Sequence, residues 1–221
     1  MLGMKNLISK IIFVAGTVWV GNLRAQEYHH PKIEDSRTEV HMGFKLGANI
    51  SSIYDELGNQ MMADPKFGMM GGAWLALPVG PALGLQPELL YSQKGYMARG
   101  SILNLDYSYT QSADYLDLPI FLQIKPAPAV SLLLGPQYSW LLFKSDKFGS
   151  GEISEEQKNE IRRNSVIKNV WSAATGVDIN LRHLSISARC CWDLKDNKAD
   201  GTSIDPIYKN MWLQSGVGYR F

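Results

Sequence analysis

Apolar and polar residues alternate one for one along much of this chain, the period-two signature of strands with two unlike faces. In residues 43–50, Phe44, Leu46, Ala48 and Ile50 alternate with Gly43, Lys45, Gly47 and Asn49. Residues 83–94 set Leu83, Leu85, Pro87, Leu89 and Tyr91 against Gln86, Glu88, Ser92 and Lys94. Residues 115–125 set Leu116, Leu118, Ile120, Leu122 and Ile124 against Asp117, Gln123 and Lys125. The pattern returns at 130–143, at 171–181, where Asp178 lies on the polar face, at 184–194, with Arg189 and Asp193 on that face, and at 211–221, with Arg220. Residues 67–77, rich in Gly and Met, alternate less clearly. This predicts about eight strands of roughly ten residues, the length of a tilted strand that crosses a bilayer.

The connections alternate between short and long. Pro78-Val79-Gly80-Pro81, Pro126-Ala127-Pro128 and Arg182-His183 read as tight turns, whereas 52–66, 96–112, 144–169 and 195–209 read as longer polar loops. Short periplasmic turns opposite longer external loops are the pattern of a transmembrane barrel. Within 144–169, Ser154-Glu155-Glu156-Gln157 is a capping-box pattern compatible with a short helix or with disorder.

Ahead of the strands, Lys5 and Lys10 flank an apolar run from Ile11 to Val20, and Leu23-Arg24-Ala25 precedes Gln26. That reads as a cleavable export signal over 1–25, because the run is shorter than the ~20 residues a spanning helix needs. A polar periplasmic segment at 26–40 and a barrel at 41–221 follow. Loss of 1–25 removes Lys5, Lys10 and Arg24 and no acid, so 22 basic and 21 acidic residues become 19 and 21, and the net charge falls from +1 to −2. Such a balance offers nothing to nucleic acid.

Charge also decides which face meets which surroundings. Lys45, Glu88, Lys94, Asp117, Asp178, Arg189, Asp193 and Arg220 all lie on one face, and the other face is nearly free of ionisable groups. A Lys or Arg facing lipid at mid-depth costs ~2–4 kcal/mol, so in a membrane the charged face must line the lumen. A soluble barrel would turn the faces the other way. The aromatics choose between the two: Tyr91, Trp140, Trp171 and Trp192 sit at strand ends beside long loops, while Phe44, Tyr219 and Phe221 sit at the opposite ends. Two such girdles match the two interfaces of a bilayer, and lipid is then the expected partner of the outer wall. The fold expected is an all-β, eight-stranded antiparallel transmembrane barrel. Its closing strand ends on Gly218-Tyr219-Arg220-Phe221, similar to the terminal aromatic signal of bacterial outer-membrane barrels.

The segments 85–95 (LQPELLYSQKG), 115–119 (YLDLP), Gly135-Pro136 and 43–49 (GFKLGAN), together with that terminus, resemble the PorT-like outer-membrane barrels of Bacteroidota over about 41–221. The resemblance implies an accessory role in type IX secretion, with periplasmic or outer-membrane secretion-complex proteins as partners, and 26–40 reads either as a contact with them or as an unordered leader remnant, the commoner case for a terminus. It also implies that Pro87, Pro119 and Pro136 are tolerated inside strands, where a bulge or kink at each is the physical expectation.

Catalysis, metal and cofactors find little footing. His29, His30, His41 and His183 fall in the N-terminal segment, at the start of the first strand or in a short turn, away from the outer loops where a lipid-acting site would sit. No further ligand spacing supports a metal at His29-His30. Cys190 and Cys191 are adjacent on a strand and so point to opposite faces, a poor geometry for a disulfide. A structural or interaction role is therefore expected. The alternative is a narrow porin-like channel, disfavoured because eight strands enclose a lumen that side chains can fill.

Overall fold

The computed structural model describes residues 38–55, 63–102, 105–148, 169–194 and 208–221. They form one closed barrel in which strands neighbour one another in chain order: β1 (His41–Asp55), β2 (Ala63–Pro78), β3 (Leu83–Ile102), β4 (Leu105–Ala127), β5 (Val130–Phe148), β6 (Val170–Leu181), β7 (Leu184–Asp193) and β8 (Tyr208–Arg220). Every pairing is antiparallel. β8 closes on β1 from Gly43↔Arg220 to Asp55↔Tyr208, which removes the open edges a flat sheet would expose. The last residue joins this seam, with the Phe221 amide donating to the Met42 carbonyl at 2.9 Å.

The period-two pattern sorts side chains as the sequence predicts. Along β1, Lys45, Asn49 and Ser51 are buried while Met42, Phe44, Leu46 and Ile50 are exposed. The same sorting places Gln86, Glu88, Asp117, Gln123, Asp178 and Arg189 inside and leaves Leu89, Ile120, Leu132, Leu134, Ile186 and Val217 outside, each of those six 43–54% exposed. The barrel is thus polar within and greasy without. A contiguous apolar band of this extent needs an apolar environment.

The interior is not uniformly polar. Phe121, Leu133, Ala174, Cys191 and Trp212 pack as a buried layer across the lumen, and Trp74, Leu90, Tyr96, Tyr109 and Tyr115 are buried as well. Inward glycines make the space for large neighbours. A Cβ at Gly43 would lie 2.9 Å from the Trp74 ring, and one at Gly176 would lie 2.6 Å from Arg189 Cδ.

Three sequence expectations need correction. Residues 96–112 are not a loop: β3 and β4 run on as a paired hairpin to Ile102↔Leu105, and β5 follows to Phe148. Outside the bilayer a strand needs no apolar face, and Tyr107, Tyr109 and Thr110 favour extended pairing while their neighbours are polar, so counting apolar residues alone missed it. The loop expected at 52–66 is likewise shortened, because β1 reaches Asp55 and β2 starts at Ala63. Nor do Pro87, Pro119 and Pro136 sit at bulges. The ladder skips a few pairs beside them with the register unchanged, as in Pro87↔Ile120 to Leu90↔Asp117, so each missing N–H is absorbed as a local gap. The register shifts fall elsewhere, between Pro65 and Met70, at Asp114/Tyr115 and at Ile124/Ala127.

The three short connections are tight. The Val79 and Gly80 amides donate to the Leu83 carbonyl at 2.9 and 3.1 Å, Asn180 donates to Ala129 at 2.7 Å, and the two-residue turn Arg182-His183 sets Arg182 at φ 48°. The expected export signal, most of the segment 26–40 and the capping-box pattern at 154–157 lie outside the described residues.

Candidate functional site

The most organised chemistry in the barrel is its internal polar network. Register brings Lys45, Glu88, Asp178 and Arg189, from β1, β3, β6 and β7, to one level of the lumen. Lys45 Nζ lies 2.6 Å from Glu88 Oε2, and Arg189 lies 3.2 Å from Glu88 Oε1 and 2.5 Å from Asp178 Oδ1. A second Arg189 nitrogen reaches Asp178 Oδ2 at 3.0 Å, making that pair bidentate. Two cations and two carboxylates alternate, so the cluster is formally neutral. Gln86 donates to both Glu88 (2.8 Å) and Asp178 (3.0 Å), and Gln123 donates to Gln86 and Ser131, each at 3.0 Å. Burial of four charges is tolerable only with this degree of pairing.

A second group lies nearer the long-connection end. Lys94 Nζ pairs with Asp117 Oδ1 at 2.9 Å, donates to Ser139 at 3.1 Å and sits over the Trp212 ring at 3.9 Å and the Tyr115 ring at 4.8 Å. Asp193 is not ion-paired to these. It accepts from Ser172 Oγ at 2.9 Å and from Asn210 Nδ2 at 2.6 Å, joining β6, β7 and β8. Arg220 lies at the short-turn end, half-buried, beside His41, Trp74 and Lys125 around a small cavity. The eight expected lumen residues therefore divide into a tetrad (Lys45, Glu88, Asp178, Arg189), a pair (Lys94, Asp117), the hydrogen-bonded Asp193 and the terminal Arg220. Gln86 and Gln123, set on the polar face by alternation, prove to be connecting members of the network together with Ser131, Ser139, Ser172 and Asn210, none of which the sequence reading assigned to it, and Trp212 and Tyr115 were not assigned either. Their signal was position on the inward register, not ionisable character.

The expected interface aromatics point outward. Phe44, Tyr91, Trp140, Trp171, Tyr219 and Phe221 are 39–62% exposed, and Trp192 is half-buried. At the long-connection end Tyr138 bridges Trp140 and Trp171, with ring centroids at 4.7 and 4.9 Å. At the short-turn end Phe44, Phe221 and Tyr219 form an edge-to-face chain at 5.9 and 5.3 Å, and His183 stacks on Tyr219 at 5.6 Å.

Beyond the upper aromatics, Tyr109 donates to Asp146 at 2.8 Å and Lys144 pairs with Asp146 at 3.4 Å. Partial burial lowers the Lys144 pKa from the usual lysine range, and Asp146 opposes that shift. Burial also lowers Lys66 on the outer side of β2, with Asp114 opposing. Cys190 is half-buried on the outward face and Cys191 is buried in the lumen, both as free thiols. Among the described residues no three His, Cys, Asp or Glu side chains are grouped to hold a metal.

A closed eight-stranded barrel with an apolar exterior, two aromatic belts and a charged, filled lumen is the architecture of a bacterial outer-membrane protein. Residues 25–199 match the outer membrane protein beta-barrel domain family, and the chain belongs to that family. It resides in the bacterial outer membrane. No curated protein matches it. Solved structures with a similar fold include Ail, the attachment invasion locus protein of Yersinia pestis, in complex with the heparin analogue sucrose octasulfate. It shares 14% identity and a TM-score of 0.45, over 83% of this chain and 99% of that one. Neisserial surface protein A shares 13% identity with a TM-score of 0.44, over 81% and 97% of the two chains. OprG of Pseudomonas aeruginosa shares 16% with a TM-score of 0.38, over 82% and 94%.

Proposed function

We propose that this protein is a sealed outer-membrane anchor that acts by contact with other proteins and carries no catalytic activity of its own. The observation that carries this reading is the plug: the Lys45–Glu88–Arg189–Asp178 tetrad and the Phe121–Leu133–Trp212 layer occupy the lumen where a solute would pass. A barrel filled in this way spends its interior on holding itself together, which leaves the ends as working surfaces. The resemblance to PorT-like barrels supports an accessory role in type IX secretion, with residues 26–40 as the periplasmic contact. Co-purification from mildly solubilised membranes tests this. Periplasmic or outer-membrane secretion proteins should accompany the intact protein and be lost on deletion of 26–40, and an intact protein that brings down no partner contradicts the reading.

A narrow channel is the second reading. It is favoured by small cavities at the two ends of the lumen, one around Lys94, Asp193 and Trp212 and the other around Gln86, Lys125 and Arg220. Planar-bilayer recording separates the two. A sealed anchor gives no reproducible steps, whereas ion-selective steps abolished by changing Asp117 or Arg189 establish a channel.

A further inference from the structure

The lipid-facing wall is not smooth, and one trough in it follows directly from the register. Phe44 of β1, Ala73 of β2 and Leu89 of β3 form one outward row, which the register of the flanking pairs continues to Leu118 of β4. One row nearer the short turns come Met42, Leu75, Pro87 and Ile120. Ala73 is the low point of the first row and the flat Pro87 ring that of the second, so together they sink a diagonal furrow across β2 and β3. Its upper end is closed because Leu46 leans over Gly71, where an added Cβ would come within 2.6 Å of Leu46 Cδ2.

The furrow is walled by Met42, Phe44 and Phe221 on one side and by Leu89 and Leu118 on the other. Trp74 and Glu88 also border it, but both are buried, so what they lend is backbone floor. Pro87 presents no N–H there, and the lining is almost wholly carbon. Such a cleft has nothing with which to recognise a headgroup or a polar peptide. It fits hydrocarbon, and the surface it opens on is the one that meets acyl tails. Phe44 and Phe221 belong to the aromatic belt of the short-turn end, which in outer-membrane barrels is periplasmic. The adjoining leaflet there is glycerophospholipid.

We propose that this trough seats one acyl chain of a periplasmic-leaflet phospholipid, held between two side-chain walls and a backbone floor. The test is native mass spectrometry of the full-length protein taken from its own membrane into mild detergent. Two outward alanines are compared: Ala73→Trp, which fills the trough, and Ala188→Trp on β7, on the far wall and away from the trough. Both face lipid, and heat-modifiable migration on gels confirms that each folds. The wild type and Ala188→Trp should retain one phospholipid-mass adduct. Ala73→Trp should retain about tenfold less, the effect of displacing roughly two methylenes of contact. Equal retention in Ala73→Trp, the absence of any adduct from folded wild type, or a protein in place of the lipid would each overturn the proposal.

Discussion

Arg189 grips Asp178 with two nitrogens, at 2.5 and 3.0 Å, across the β6–β7 pairing, and it can lie flat to do so because the residue directly opposite it is Gly176. One cation, one carboxylate and one missing side chain thus form a single device. Glu88 and Lys45 extend it to the far wall, so the tetrad ties four strands together at mid-lumen.

Removing the cation leaves Asp178 buried without its bidentate partner, while Glu88 keeps Lys45. Arg189→Met should lower stability by about 3–5 kcal/mol, measured by urea unfolding in lipid bilayers. Adding Asp178→Asn to the same chain should recover a large part of that loss, since Lys45 and Glu88 then remain as a balanced buried pair.

On the outer wall, Leu134 is 54% exposed among acyl tails. Leu134→Arg should cost ~2–4 kcal/mol in a bilayer, seen as a lowered unfolding midpoint.

The β3–β4 extension makes its own prediction. Arg99 pairs with Ser108 within the ladder, and a paired strand presents a poor substrate to a protease. Limited trypsin digestion of intact cells should therefore spare Arg99. Rapid cleavage there would restore the loop that the sequence suggests.

How much of this was legible beforehand depends on what each residue must satisfy. Lys45, Asp117 and Arg189 were readable as lumen residues because an ionisable group facing lipid is so unfavourable that alternation alone fixes its side. Trp140, Trp171, Phe44 and Phe221 were readable as outward residues because they continue the apolar register of their strands. Phe121 and Trp212 were not. An apolar residue on the inward register carries no penalty that marks it, and only closure of the barrel shows that it meets its counterpart across the lumen. The grouping of Lys45 with Arg189 and of Lys94 with Asp117 was equally hidden, since it depends on the stagger between strands rather than on order along one of them. Residues 96–112 were misread for a related reason: outside the membrane, backbone pairing alone can sustain a strand whose side chains are polar on both faces.

The two cysteines offer a check on sidedness in the native chain. Cys191 is fully buried in the lumen, and Cys190, its neighbour in sequence, turns outward. In folded protein a membrane-soluble maleimide should modify Cys190 and leave Cys191 untouched until unfolding, as mass spectrometry of the peptides will show.

Single-tryptophan proteins in vesicles of brominated phospholipid put the arrangement to its sharpest test. Trp171 is 48% exposed on the outer wall and Trp212 is 1% exposed inside, so with the other tryptophans changed to Phe, bromine on the acyl chains should quench Trp171 strongly and Trp212 weakly. Equal quenching of the two, or stronger quenching of Trp212, would contradict a barrel that turns its apolar face to lipid and its ionisable face inward.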